Sequence, residues 1–201
     1  MSLETTGISS NDTMRSSILE AARELFAKFG YKKTTMEDIA HALRKGKSSL
    51  YYYFKNKEEI FQAVIKMEED ILFSRLHEVL KSDISPQEKL MNYVIVRMET
   101  IRKLDNYYKA LRDDMFGDYD LMVDIKGKGE KEEAEMLKSI LEEGVRDNSF
   151  TVKDTQLASV AIAISLKGLE VPLFKSLDKF EDFKIQIENV LNILFYGLIK
   201  R

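Results

Sequence analysis

The chain has 201 residues, 44% of them hydrophobic, with nine glycines, two prolines and a formal net charge of −3, enough for one large or two modest domains with proper cores. It contains no cysteine, which excludes disulfides and thiolate metal sites. Its two histidines, His41 and His77, stand far apart, and no nucleophile with its base, phosphate loop or Glu-x-x-His pair is present, so neither an enzyme nor a bound metal or cofactor is expected.

Residues 1 to 11 are rich in Ser and Thr and lack periodicity, which predicts a disordered arm. Residues 1 to 13 are polar and do not resemble a signal peptide, so the cytoplasm is the expected compartment. From about Asp12 to Phe29, the residues Met14, Ile18, Leu19, Ala22, Leu25, Phe26 and Phe29 fall on one helical stripe that Gly30 stops. Thr34 and Thr35 then offer hydroxyls to the amides of a new first turn, with Glu37 and Asp38 behind them as a capping box requires. Met36, Ile39, Ala40 and Leu43 give this second helix a short apolar face. Arg44-Lys45-Gly46 breaks it, and Gly46 is the residue expected to take unusual backbone angles.

A third helix is predicted over Lys47 to Phe54. Leu50 and Phe54 form its buried edge. Ser48 and Tyr52 point away from that edge, flanked by Lys47, Ser49 and Tyr51, and Tyr53 projects to one side near Lys55 and Lys57. A core helix would not hold tyrosines and small hydroxyls outward, but a helix entering a major groove would use them on phosphates and base edges. The alternative is an ordinary two-helix corner with solvated lysines. Charge decides between them: residues 28 to 57 hold eight Lys or Arg against Glu37 and Asp38, a net of +6, so the remainder of a −3 chain carries −9.

Asn56 can cap a helix that reaches Lys81, with Glu59 at its third position. At 1.5 Å per residue this helix is roughly 37 Å long. It makes a connecting rod (57–81) between a DNA-binding domain, 12–56, and an effector-binding and dimerisation domain, 57–201. Pro86 suits the first turn of the next helix, and helices follow around Leu90 to Leu104 and Tyr107 to Phe116. Met and Tyr concentrate between residues 91 and 122, which suits a cavity for a small, mostly apolar ligand. Met91, Val94, Met98, Tyr107, Tyr108, Met115, Phe116 and Met122 are the expected lining; for each, simple core packing is the alternative. Gly127-Lys128-Gly129 is expected to interrupt the pattern, and Glu130 to Glu135 to form a solvated face.

Leu157 to Phe174 is apolar nearly all round, with Ala158, Ala161, Ser165 and Gly168 as a strip of small residues that allows close helix approach. Lys167 and Glu170 within it argue against a membrane span, and Pro172 is expected to end or kink the helix. A last helix from about Asp178 repeats Phe183, Ile187, Val190, Leu194 and Leu198. Ile187, Val190, Leu191, Leu194 and Leu198 with the small-residue strip are the expected contact of an isologous homodimer. The expected fold is all-α, with about nine helices.

The order Ile18, Ala21-Ala22, Leu25-Phe26, Gly30, Thr34-Thr35, Ile39-Ala40, Leu50-Tyr51, Phe54, Lys57 resembles the N-terminal domain of TetR/AcrR-type transcriptional regulators over about residues 14 to 60. One departure stands in the turn, where the family usually has Gly-Val-Ser and this chain has Arg44-Lys45-Gly46. The small apolar plug and the Ser cap of the recognition helix are lost. The resemblance implies a homodimeric regulator, most often a repressor, that binds double-stranded DNA at a palindromic operator and is released by a small-molecule effector. It also implies that the last two helices are the dimerising pair. On this reading Lys47, Ser48 and Tyr52 face base edges, while Thr35, Ser49, Tyr51, Tyr53, Lys55 and Lys57 face phosphates. A helical ligand-binding bundle or enzyme without DNA binding, and a constitutive DNA binder without an effector, are the competing readings.

Overall fold

Caps and stops set the bounds of the helices. The structure, a computed structural model, describes residues 10–104, 106, 119–176, 185–189 and 191–193. The fold is all-α, and no strand occurs among the described residues. The helices are α1 (Ser10–Phe29), α2 (Met36–Ala42), α3 (Lys47–Tyr53), α4 (Lys57–Lys81), α5 (Pro86–Lys103), α6 (Tyr119–Arg146) and α7 (Thr155–Ser176). A last helical segment covers 185–189 and 191–193. The chain divides into two compact units, Met1–Glu68 with Asp105–Ala110, and Glu69–Leu104 with Leu111–Arg201. Helix α4 runs unbroken through the division.

In the first unit, Ile18, Ala22 and Phe26 of α1 are buried with Met36, Ile39 and Ala40 of α2, Leu50 and Phe54 of α3's edge, and Ile60, Phe61 and Val64 of α4. Burial of each such large side chain stabilises the unit by about 1.5–3 kcal/mol. Phe29 departs from the expected stripe: it is 51% exposed, with the Lys28 ammonium 5.1 Å from its ring centroid. Helix α1 ends where Gly30 takes φ +83, a left-handed conformation that costs glycine nothing. A buried polar knot ties α1 to α4: the Arg23 Nε donates to Glu68 Oε1 at 2.9 Å, and Asn106 Nδ2 donates to the same oxygen at 2.9 Å and to the Arg23 carbonyl at 3.1 Å.

In the second unit, Leu72 and Leu76 of α4, Leu90, Tyr93, Val94 and Met98 of α5, and Leu137, Ile140 and Leu141 of α6 form the core. Helix α5 begins on a complete capping box of Ser85 and Glu88, with Pro86 in the first turn. Helix α6 corrects two expectations. It runs straight through Gly127 to Gly129, because Gly129 sits where a Cβ would lie 2.5 Å from Glu69 Oε1, so the small residue permits close helix approach. Its acidic run is only partly solvated: Glu130, Glu132 and Glu135 are exposed, but Glu133 is buried. The reason is Arg97 on α5, whose Nε and Nη2 donate to the Glu133 carboxylate at 2.5 and 3.2 Å. Helix α7 continues through Pro172 to Ser176, so Pro172 does not end it.

Candidate nucleic-acid interface

The interface is built on α2 and α3. Thr35 is the N-cap of α2 in extended conformation, and its Oγ1 accepts from the Asp38 N–H at 3.2 Å. The Asp38 carboxylate in turn accepts from the Thr35 N–H at 2.8 Å, which completes a capping box. The hydrogen bond from the Thr35 hydroxyl, with that from its amide, holds the Asp38 carboxyl below its ordinary range. At the other end of α2, Leu43 and Lys45 donate to the carbonyls of Ile39 and Ala40 at 3.2 and 2.9 Å. The left-handed residue of the turn is Arg44, φ 54, whereas Gly46 sits at φ −73, ψ 149. The expectation for Gly46 is thus corrected: it is the N-cap of α3, without a side-chain cap, and the unusual angles fall two residues earlier.

Helix α3 has the amphipathic split that its sequence implies. Leu50 is 0% and Phe54 1% exposed, against 47% for Tyr51 and 77% for Tyr52. Lys47 and Ser48 are also exposed, Ser49 and Tyr53 are half-buried, and Lys55 is exposed just beyond the helix. The Tyr52 and Tyr53 rings meet edge to face at 5.0 Å. Lys47 pairs with Glu37 of α2, and its ammonium lies 5.7 Å from the Tyr51 ring centroid. The Glu37 carboxylate raises the Lys47 pKa. Exposed Lys32, Lys33, Arg44 and Lys45 extend the cationic surface around this face. Arg15 of α1, which periodicity alone did not single out, is exposed with its guanidinium 4.9 Å from the Phe54 ring centroid.

Lys57 stands apart from this outward set. Its Nζ donates to the carbonyls of Tyr31 and Thr34, each at 2.8 Å, and lies 4.2 Å from the Tyr31 ring centroid. Burial pulls its pKa below the ordinary lysine value. The next helix is capped as expected, with Asn56 Oδ1 accepting from the Glu59 N–H at 2.8 Å.

Of the expected effector lining, Val94 and Met98 are buried and Met91 half-buried, all on α5. Met122 lies on α6, while Tyr107, Tyr108, Met115 and Phe116 lie outside the described residues. Of the expected dimer contact, Ala161, Ser165 and Gly168 are exposed on α7 and Ala158 is half-buried. Ile187 and Leu191 are buried within the protomer, at 3% and 4% exposure. Ile185 and Ile193 are exposed, as are Leu157, Val160 and Ile164 of α7. Val190, Leu194 and Leu198 lie outside the described residues.

Residues 18–64, which hold the whole α2–α3 corner and the start of α4, match the model for bacterial regulatory proteins of the tetR family. The HTH-type transcriptional repressor KstR2 of Mycolicibacterium smegmatis is 34% identical over 137 residues, covering 68% of this chain and 67% of that protein. The chain belongs to the TetR family of bacterial regulatory proteins. As a TetR-family member it is a helix-turn-helix transcriptional regulator, and likeness to the family extends beyond the reading head. The HTH-type transcriptional regulator RutR of Escherichia coli is 27% identical over 176 residues, covering 88% of this chain and 77% of that protein. A crystal structure of a transcriptional regulator from Cytophaga hutchinsonii superposes with a TM-score of 0.79 at 29% identity, covering 92% of this chain and 98% of that one.

Proposed function

We propose that this TetR-family protein is a repressor that reads a palindromic operator as a homodimer and leaves it when a small, largely apolar ligand binds the second unit. The observation that carries the reading is α3: a helix held by Leu50 and Phe54 that turns Lys47, Ser48, Tyr51 and Tyr52 to solvent on the most basic stretch of an acidic chain. Ser48 and Tyr52, with Lys47 once it leaves Glu37, reach base edges. Thr35, Ser49, Tyr51, Tyr53 and Lys55 reach phosphates, with Arg15, Arg44 and Lys45 as further cations.

Two-fold symmetry follows from the exposed apolar face of α7, which a second copy would cover. It would place two α3 helices about 34 Å apart, the spacing of successive major grooves on one face of a duplex. Release is a population shift: ligand binding beside Met91, Val94 and Met98 favours a displaced α4 and a spacing that no longer fits the duplex. Selection of bound sites from random-sequence DNA by the full chain tests the reading. The expected product is an inverted repeat with half-sites one helical turn apart; recovery of no enriched site would end the proposal.

A further inference from the structure

We propose that Lys57 is a positioning residue for the reading head, a clamp from the first residue of α4 onto the entry to α2, and not one of the phosphate contacts. The inference rests on the DNA-binding reading above. A lysine ammonium has three donors, and here two of them are directed at the Tyr31 and Thr34 carbonyls at 2.8 Å each. Its remaining approach is taken up largely by the Tyr31 ring, 4.2 Å away, an arrangement that cation–π attraction favours. That ring is not free to move: it packs on Phe26 at 5.8 Å and on Phe61 at 4.9 Å between centroids. Lys57 is half-buried, whereas Lys45, Lys47 and Lys55 are exposed, and burial lowers the Lys57 pKa.

The segment that Lys57 holds has one further role. Thr34, whose hydroxyl donates to the Gly30 carbonyl at 2.9 Å, is followed directly by Thr35, the N-cap of α2. Helix α2 packs on α3. The ammonium therefore fixes where α2 begins, and through α2 it fixes the angle at which α3 presents Lys47, Ser48 and Tyr52. Because Lys57 is also the first residue of α4, a displacement of that helix reaches the reading head through this clamp.

Substitution of Lys57→Met in the full chain keeps the stem and removes the donors. The probes are the duplex that the unaltered chain selects from random-sequence DNA and a scrambled duplex of the same length, each titrated over a series of salt concentrations. Clamping predicts at least a tenfold loss on the selected duplex, less than a twofold change on the scrambled one, and an unchanged salt slope. A phosphate contact would weaken both duplexes together and reduce the slope by about 0.9; that result, or unchanged affinity for both, overturns the proposal. Tyr31→Leu keeps the lysine and its charge but removes the ring beneath it. It too is expected to lower affinity for the selected duplex alone, and it decides the matter if Lys57→Met does not fold. If the unaltered chain selects no site, the DNA-binding reading itself fails, a result distinct from either variant's behaviour.

Discussion

Arg44 occupies a backbone conformation that its Cβ opposes, and Gly30 occupies one that only glycine adopts freely. At φ 54 an L-residue gives up roughly 1–2 kcal/mol, part of which glycine would return to the unfolded chain as entropy. Arg44→Gly is expected to raise stability by about 0.5–1 kcal/mol, read as a higher urea midpoint with an unchanged slope. Gly30→Ala should do the opposite, by about 1–2 kcal/mol. At φ +83 a Cβ there would meet no atom within 4 Å, so backbone strain acts alone. Midpoints that moved in the same direction would contradict the left-handed assignment of one of the two. Tyr52 separates function from stability at the same scale. At 77% exposure its truncation removes little packing, so Tyr52→Ala should change stability by less than about 0.5 kcal/mol. Loss of a good base contact, about 1–3 kcal/mol, should lower operator affinity by about five- to 150-fold, measured by titration on the selected duplex.

The helices whose limits the sequence reveals are those closed by local chemistry. Thr35 with Asp38 and Ser85 with Glu88 form reciprocal caps three residues apart, and such spacing is visible without a fold. Both carboxyls are held below their ordinary range, first by the hydroxyl and then by the amide of the cap. A folded value below the unfolded one means that the stabilisation is complete above about pH 5 and is lost as pH falls through the depressed value. The melting temperature should therefore fall from pH 5 towards pH 2, and Asp38→Asn with Glu88→Gln should make that fall shallower; an identical pH profile would remove the caps from the account. What periodicity does not reveal is pairing between distant elements. Glu133 reads as one more charge in a solvated run, yet it is buried because Arg97, on α5, faces it. Glu68 and Asn106 are hidden for the same reason, since their partner is Arg23. Gly129 reads as a breaker because its neighbour Glu69 lies 60 residues away in sequence. The α3 face was legible because Leu50, Tyr52 and Phe54 follow from one helical wheel. The fate of the Lys57 ammonium was not, since it depends on carbonyls 23 and 26 residues back. The Glu133 carboxylate accepts two hydrogen bonds from the Arg97 guanidinium in a buried pair, so Glu133→Gln, which removes that charge, should lower the urea midpoint of unfolding.

For the whole molecule the question is what covers α7. Leu157, Val160, Ala161, Ile164, Ser165 and Gly168 are all exposed, and their spacings of three and four place them on one face of the helix. Three of them are large and apolar, and Ile164 is 66% exposed within the protomer, so a substitution there leaves the fold of the single chain nearly unchanged. In the proposed homodimer such a face would suit two-fold symmetry, because the same patch from each copy would meet its equivalent and the small residues would allow the helices to approach. Ile164→Glu would then bring two carboxylates into one apolar contact, where desolvation and like-charge repulsion both oppose association. The expected outcome is a folded monomer, with an unchanged helical signal and half the mass by sedimentation. Such a monomer presents one reading head instead of two. Linking two heads on one operator raises affinity by a factor of 10² to 10⁴ over a single head without any new contact, so the variant should lose at least a hundredfold on the inverted repeat. Its affinity for a duplex with one half-site should change little, because the cationic surface of residues 28 to 57 is intact in each copy. A variant that remained dimeric and bound the full operator as before would show that the second copy docks elsewhere.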